Sequence, residues 1–430
     1  MVTILPGCAK PVRRNELDWL RTLAVLGLIP FHAAVIFTTG SGDYVKNGET
    51  SRSVDAFVAF ISAWGMPLIF FIAGAGARFA LQLRTRPRYL RERFSRLVVP
   101  FLFGLVAVVP LQVYIGRIAS TGTRPASIPF YLEHMALLVG ICGGTVPHNG
   151  ADWIGHLWFI PMLILFAVLI VPADRFFHAG LGRRLLTLLA RYGQGLGLLA
   201  VFGLLLGIAR FLLWGGSALS PDLQQMASWS LFVQFLLFYL FGYVVYADPR
   251  SEMAVRKASL PALVLACLTW GIQETLNVTH TGPAASMTVA YAGYSLLSGY
   301  ASWLWVVAIV SYGMRYLAGS NGLLRFLSDA VYPAYVLHMP ILSLIALYVV
   351  RWDLPLLEKL VLITLATLAA TLAVYDVLIR RIGIVRMVFG LKPRSSRTPP
   401  GSTPDAGPSQ LPEPIPESAS AKPAIAGGAP

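Results

Sequence analysis

The chain has 430 residues, of which 56% are apolar and 13% charged, and its mean hydropathy is +0.66. Soluble domains carry about 25% charged residues, so this composition excludes a water-covered globular surface and leaves an integral membrane domain. The 34 Lys+Arg against 20 Asp+Glu give a net charge of +14; these charges fall between apolar runs, which makes them topology signals rather than a nucleic-acid surface. Cys8, Cys142 and Cys267 are widely scattered, against a disulfide framework or a cysteine metal site. The first apolar run begins at Leu17 and is too long for a cleavable signal peptide.

A bilayer crossing needs about 20 mostly apolar residues. Ten runs are predicted to cross as helices: 17–39, 56–80, 97–116, 154–172, 196–214, 229–247, 259–276, 290–313, 331–350 and 356–379. With the N-terminus in the cytoplasm, the inner segments hold 24 Lys and Arg and the outer ones six. Ten spans return the C-terminus to the cytoplasm. The apolar stretch 128–142 is read as lying on the outer face, because a crossing there would invert every later segment. No strand and no internal repeat is predicted. Residues 393–430 hold ten prolines among mostly Ser, Ala, Gly and Thr; such a chain cannot bury a core and is read as a disordered cytoplasmic tail. The expected fold is therefore an all-α bundle of about ten transmembrane helices over 1–392, followed by that tail.

The first helix carries the sharpest signal. Arg21 and His32 are 11 residues apart, close to three helical turns, so a continuous helix puts both on one face, with Asp18 at i−3 from Arg21. Arg21 would sit near the cytoplasmic surface and His32 about 16 Å deeper. Pro30 removes a backbone bond beside His32. An ionisable residue at that depth usually faces a bundle interior or a wet cavity, and histidine exchanges protons near neutral pH. A core histidine bonded to a neighbouring helix, and an interfacial Asp18–Arg21 pair that only sets topology, are the plainer readings.

The predicted cytoplasmic loop 84–96 carries Arg84, Arg86, Arg88, Arg91, Arg93 and Arg96 against Glu92 alone. It reads either as a topology anchor touching anionic lipid or as a site for a phosphate-rich donor such as coenzyme A, because arginine forks match phosphate oxygens. Arg93 and Arg96 share a face at i,i+3, and Arg88 and Arg91 have the same spacing. His156 and Trp158 open the fourth run at the outer interface; Tyr335 and His338 share a face of the ninth. These four are candidates for lining an acceptor cavity, with an interface histidine and an ordinary Trp belt residue as the plainer alternatives. Arg210 and Glu274 are weaker candidates near the outer side. His134, His148 and Asp152 match no metal spacing, and no metal is expected. Arg78 is read as snorkelling to the inner face, and Gly74 and Gly76 as packing residues.

Asp18-Trp19-Leu20-Arg21, ten residues and then His32, resembles the opening helix of the acyltransferase 3 family of bacterial multi-pass membrane enzymes. The resemblance runs through about 12–390. It is carried further by Met66-Pro67-Leu68-Ile69-Phe70-Phe71-Ile72-Ala73-Gly74, Arg91-Glu92-Arg93-Phe94-Ser95-Arg96-Leu97-Val98-Val99-Pro100-Phe101, Gly155-His156-Leu157-Trp158-Phe159, and Ser328-Asp329-Ala330-Val331-Tyr332-Pro333-Ala334-Tyr335-Val336-Leu337-His338-Met339-Pro340. It looks closest to the branch with the glucan-biosynthesis succinyltransferases, although Gly65 stands where that branch often has histidine. The resemblance implies O-acyl transfer, of acetyl or succinyl type, from cytoplasmic acyl-CoA to a hydroxyl of an extracytoplasmic glycan or glycolipid. It implies His32 as base or transient acyl carrier, Arg21 and Asp18 beside it, and the Arg-x-x-Arg pairs for the donor. It also implies a place in the bacterial inner membrane among lipid. A proton-coupled exporter of a small molecule or lipid-linked sugar is the rival from a different class, and a partner protein with a degenerate site is another. No appended esterase-like domain is expected.

Overall fold

The computed structural model describes residues 14–40, 44–142, 154–192, 196–214, 224–279 and 288–391. The predicted tail, His148 and Asp152 lie outside them. The described residues are helical, in the order α1 (Asn15–Leu26), α2 (Leu28–Val35), α3 (Arg52–Leu83), α4 (Arg86–Phe103), α5 (Val109–Thr121) and α6 (Ser127–Cys142). There follow α7 (Phe159–His178), α8 (Gly180–Tyr192), α9 (Leu196–Trp214), α10 (Gln224–Val245), α11 (Pro249–Lys257) and α12 (Ser259–Val278). The last are α13 (Val289–Tyr316), α14 (Gly322–Val349), α15 (Leu356–Val374) and α16 (Gly383–Val388). No strand occurs among the described residues.

Seven helical stretches are long and apolar enough to cross a membrane: Arg52–Leu83, Arg86–Thr121, Gly155–His178, Ser259–Val278, Val289–Tyr316, Gly322–Val349 and Leu356–Ile379. An eighth appears if the pair Ser230–Val245 and Pro249–Lys257, bent by 108°, is one span. The chain is thus an all-α, multi-pass membrane protein. All ten predicted runs are helical, but three of them fall short of a single spanning helix, 229–247 among them because it passes only as part of the bent pair. The apolar helix Gly197–Leu213 is shorter than the rest, and the first run is divided.

That division has a covalent cause. Pro30 has no N–H to give Leu26, and its ring collides with the carbonyl four residues back. The helix stops at Leu26, turns at Gly27 and restarts at Leu28. The expectation of one continuous helix from Arg21 to His32 is therefore corrected: the interruption lies between them, and the 11-residue spacing alone no longer sets their common face. The arginine segment is corrected in the opposite direction. Residues 86–96 are not a loop, because Pro87 at the first turn favours helix initiation and the segment runs unbroken into the apolar half of α4.

α13 and α14 form the centre. Of their apolar windows, 61% and 72% of residues are buried, against 11% for α12 on the rim. Large apolar side chains on the rim stay exposed, such as Leu268 at 57% and Leu365 at 59%, as a lipid-facing surface requires. Close helix crossings are made by glycine. Gly74 of α3 lies against the carbonyl oxygen of Tyr239, and Gly242 of α10 against that of Phe71, with no room for a Cβ at either point. Gly207 and Gly299 let α9 and α13 meet in the same way. The expected packing role of Gly74 is what the structure shows. Overpacking commonly costs about 1–3 kcal/mol, so Gly74→Val and Gly242→Val should each lower the thermal unfolding midpoint of the detergent-purified protein. Gly271→Val, at an open position on α12, should leave it unchanged.

Candidate active site

Four of the predicted site residues come together. The imidazole of His338 on α14 lies 5.5 Å from that of His32 on α2 and 5.3 Å from that of His156, centroid to centroid. Tyr335 is 5.9 Å from His338 and 5.8 Å from His156. His156, Tyr335 and His338 are buried, and His32 is half-buried.

Two local features aim His156 inward. Gly155 has φ +50°, a left-handed conformation that glycine adopts freely, and it starts the 3₁₀ turn Gly155–Trp158. Proline then supplies a partner. The carbonyl of Val336 would normally accept from residue 340, but that residue is Pro340 and carries no N–H. His156 Nε2 takes the position at 3.0 Å from Val336 O. A carbonyl only accepts, so Nε2 carries the proton. His156 Nδ1 lies 2.8 Å from Gln112 Oε1; in the neutral ring Nδ1 is the acceptor, so we assign the Gln112 amide its flipped orientation, which turns the otherwise unpartnered NH₂ to the ring. The Tyr335 hydroxyl donates to the carbonyl of His156 at 2.5 Å. His338 is held by its own helix: Nδ1 faces the carbonyls of Tyr335 at 2.7 Å and Ala334 at 3.2 Å. Its Nε2 is buried without a hydrogen-bond partner. Trp158 stacks on Phe235 of α10 at 5.7 Å, beside this group.

Asp18 and Arg21 form the expected pair on α1, with Nη2 3.4 Å from Oδ1. In the arginine helix, the four predicted donor residues divide between two faces. Arg88 and Arg91, with Thr85, Pro87, Glu92 and Ser95, line an open hollow of about 760 Å³. Arg93 is half-buried over the ring of Tyr89 at 5.4 Å, with Gly76 of α3 beside it, and Arg96 is exposed. Glu92 pairs with Arg84 at 3.0 Å and Arg88 at 3.2 Å.

Sequence reasoning passed over a buried ionic cluster at the same end of the helices. Asp174 of α7 accepts from Arg86 at 2.8 and 3.0 Å and from the Tyr243 hydroxyl at 2.5 Å. Arg78 lies over the Tyr243 ring at 5.5 Å and donates to its hydroxyl at 3.4 Å. Arg78 is therefore held by a protein partner at this end of the helices. The signal available in the sequence was a lone acid, Asp174, closing an apolar helix; Gln112, inside an apolar run, was a second. The weaker candidates lie elsewhere: Arg210 is near Tyr291 and Tyr294, and Glu274 is half-buried on α12. His134 is buried within α6, and burial lowers its pKa. Among the described residues no three His, Cys, Asp or Glu side chains gather as metal ligands would.

The Acyl_transf_3 family model, an acyltransferase domain, matches residues 14–380. The chain belongs to that family, and at the family level it is a membrane acyltransferase. No curated protein and no solved structure matches it.

Asp174 is the acceptor on which Arg86 and Tyr243 converge. Removing one partner of a buried ion pair commonly costs about 3–5 kcal/mol. Asp174→Ala should therefore destabilise the purified protein by about 3 kcal/mol in thermal unfolding, whereas Glu92→Ala, in an exposed ion pair, should leave the unfolding midpoint nearly unchanged.

Proposed function

We propose that this acyltransferase moves an acetyl- or succinyl-type group from acyl-CoA on the cytoplasmic side to a hydroxyl of a glycan or glycolipid on the other side. The observation that carries this reading is the placement of a half-buried histidine, His32, beside the buried His338–His156–Tyr335 group in a chain of this family. His32 takes the proton of the acceptor hydroxyl, the oxygen attacks the thioester carbonyl, the C–S bond breaks, and the proton passes to the leaving thiolate. An acyl group held transiently on His32 gives the same overall balance.

The arginine helix supplies the donor side. Arg88 and Arg91 face the open hollow with the hydroxyl-bearing Thr85 and Ser95, a donor set suited to the phosphates of coenzyme A. Arg93 and Arg96 add positive charge on the adjoining face, and Asp18 with Arg21 organises the inner end of α1. His156, Trp158, Tyr335 and His338 form the wall behind the acceptor. Lys and Arg crowding on one set of segments supports cytoplasmic termini, and the family resemblance supports a place in the bacterial inner membrane. The succinyltransferase-like branch is the proposed placement within the family.

Mass spectrometry of surface and periplasmic glycans tests the reading, comparing a deletion strain with strains complemented by wild type or His32→Ala. Loss of one acyl mass, restored by wild type alone, is expected, and it identifies group and acceptor together. With purified protein and no ion gradient, His32→Ala should reduce acyl transfer by about 10²–10⁴-fold, the usual yield of a general base. Full activity in a folded His32→Ala protein would remove the role. The double variant Arg88→Ala/Arg91→Ala should raise the KM for acyl-CoA by at least about tenfold with a smaller change in kcat, since a charge-assisted hydrogen bond contributes about 1.5–3 kcal/mol. An unchanged KM would move the donor site off this hollow.

A further inference from the structure

The group around His32 contains two other imidazoles, and their hydrogen bonds leave them in different chemical states. His156 is fully engaged: Nε2 donates to Val336 O and Nδ1 meets Gln112. His338 is engaged on one side only. Its Nδ1 faces two backbone carbonyls, at 2.7 and 3.2 Å, and carbonyls cannot donate. Nδ1 therefore holds the proton and Nε2 of the neutral ring is a lone pair. That lone pair is buried, in a residue only 2% exposed, with no hydrogen bond. A buried acceptor without a donor costs free energy wherever it occurs and more in the absence of water. Two imidazoles lie beside it: His156, whose N–H goes to Val336, and His32, 5.5 Å away between centroids.

We propose that His338 is the positioning residue for His32. Its Nε2 accepts the ring N–H of His32, which fixes the His32 tautomer so that the opposite nitrogen presents a lone pair to the acceptor hydroxyl. When that nitrogen takes the hydroxyl proton, the positive charge that develops on the His32 ring is shared with the His338 lone pair. No proton leaves His32 toward His338. The logic is that of a catalytic base oriented by a third group, with an imidazole locked by its own helix carbonyls in place of a carboxylate. The 5.5 Å between ring centroids is short enough for the two nitrogens to meet when the His32 ring turns its N–H toward His338, as catalytic hydrogen bonds commonly tighten once substrate is bound. The inference rests on the proposed role of His32 as the base.

Two substitutions separate the nitrogens of His338. His338→Asn retains an N–H where Nδ1 was and can still bond Tyr335 O, but lacks the Nε2 acceptor. His338→Gln carries an acceptor at the Nε2 position. His338→Asn should lower kcat by about 10- to 100-fold, the size of the loss when the hydrogen-bond partner of a metal-bound histidine is removed, with the KM of acyl-CoA unchanged. His338→Gln should recover most of that loss. In ¹⁵N-histidine NMR of the detergent-purified wild type, His338 should appear as the Nδ1–H tautomer. His32 should appear as a single tautomer that becomes a mixture in His338→Asn.

Wild-type kcat in His338→Asn, an equal loss in both variants, or an Nε2–H signal from His338 in the wild type would each overturn the proposal. The NMR arm needs only the wild-type protein and stands even if a variant fails to fold. If His32→Ala is inactive while His338→Asn is fully active, this inference falls and the reading of His32 stands. If His32→Ala is fully active, the reading of His32 falls first.

Discussion

A helix in hydrocarbon has no water to complete its backbone hydrogen bonds, so every proline inside it creates a carbonyl that needs another donor. Pro340 does this to Val336, and the imidazole of His156 fills the position at 3.0 Å. That single bond ties the 3₁₀ turn Gly155–Trp158 to α14, brings Gln112 of α5 against the other side of the ring, and sets Tyr335 to donate back to the His156 carbonyl. The wall behind His32 is thus built from the demand of one carbonyl. Pro30 acts in the opposite sense on the first helix: it breaks the run at Gly27 and allows the segment bearing His32 to pack as a separate short helix.

The other end of the protein is organised by charge. α4 carries so many arginines that it needs fixed anions to hold any of them in place. Asp174 provides one for Arg86, Glu92 provides another for Arg84 and Arg88, and the Tyr89 ring receives Arg93. Arg88 and Arg91 remain directed to the hollow. A helix that is anchored at Arg86 and apolar beyond Leu97 presents its polar turns at a fixed height, which is what a phosphate-bearing donor on that side would require. Between the two ends, the glycine contacts of α3 with α10 and of α9 with α13 bring backbones close enough for dispersion to hold helices that have no hydrophobic effect between them in lipid.

Much was legible in the sequence. Membrane class follows from composition, because too few charges remain to cover a soluble surface. Helix locations follow from run length, because a bilayer crossing has a fixed thickness. The family resemblance over the bulk of the chain, quoted on short motifs, agrees with a match over residues 14–380. His32, His156, Tyr335 and His338 were singled out because polar and ionisable groups are scarce in apolar helices, and the structure gathers all four.

The sequence by itself determined which segments are helical, which of them are apolar enough for lipid, and which few side chains are chemically conspicuous, because local periodicity and transfer free energy act on each segment separately. Only the tertiary structure decided how those side chains are paired. The arginine segment became helix rather than loop, and Asp174 became the anchor of Arg86 across 88 residues. The His156 ring came to complete a carbonyl 180 residues away. Such pairings depend on which helices pack together and at what height, and packing between helices leaves no mark on the periodicity of any one of them.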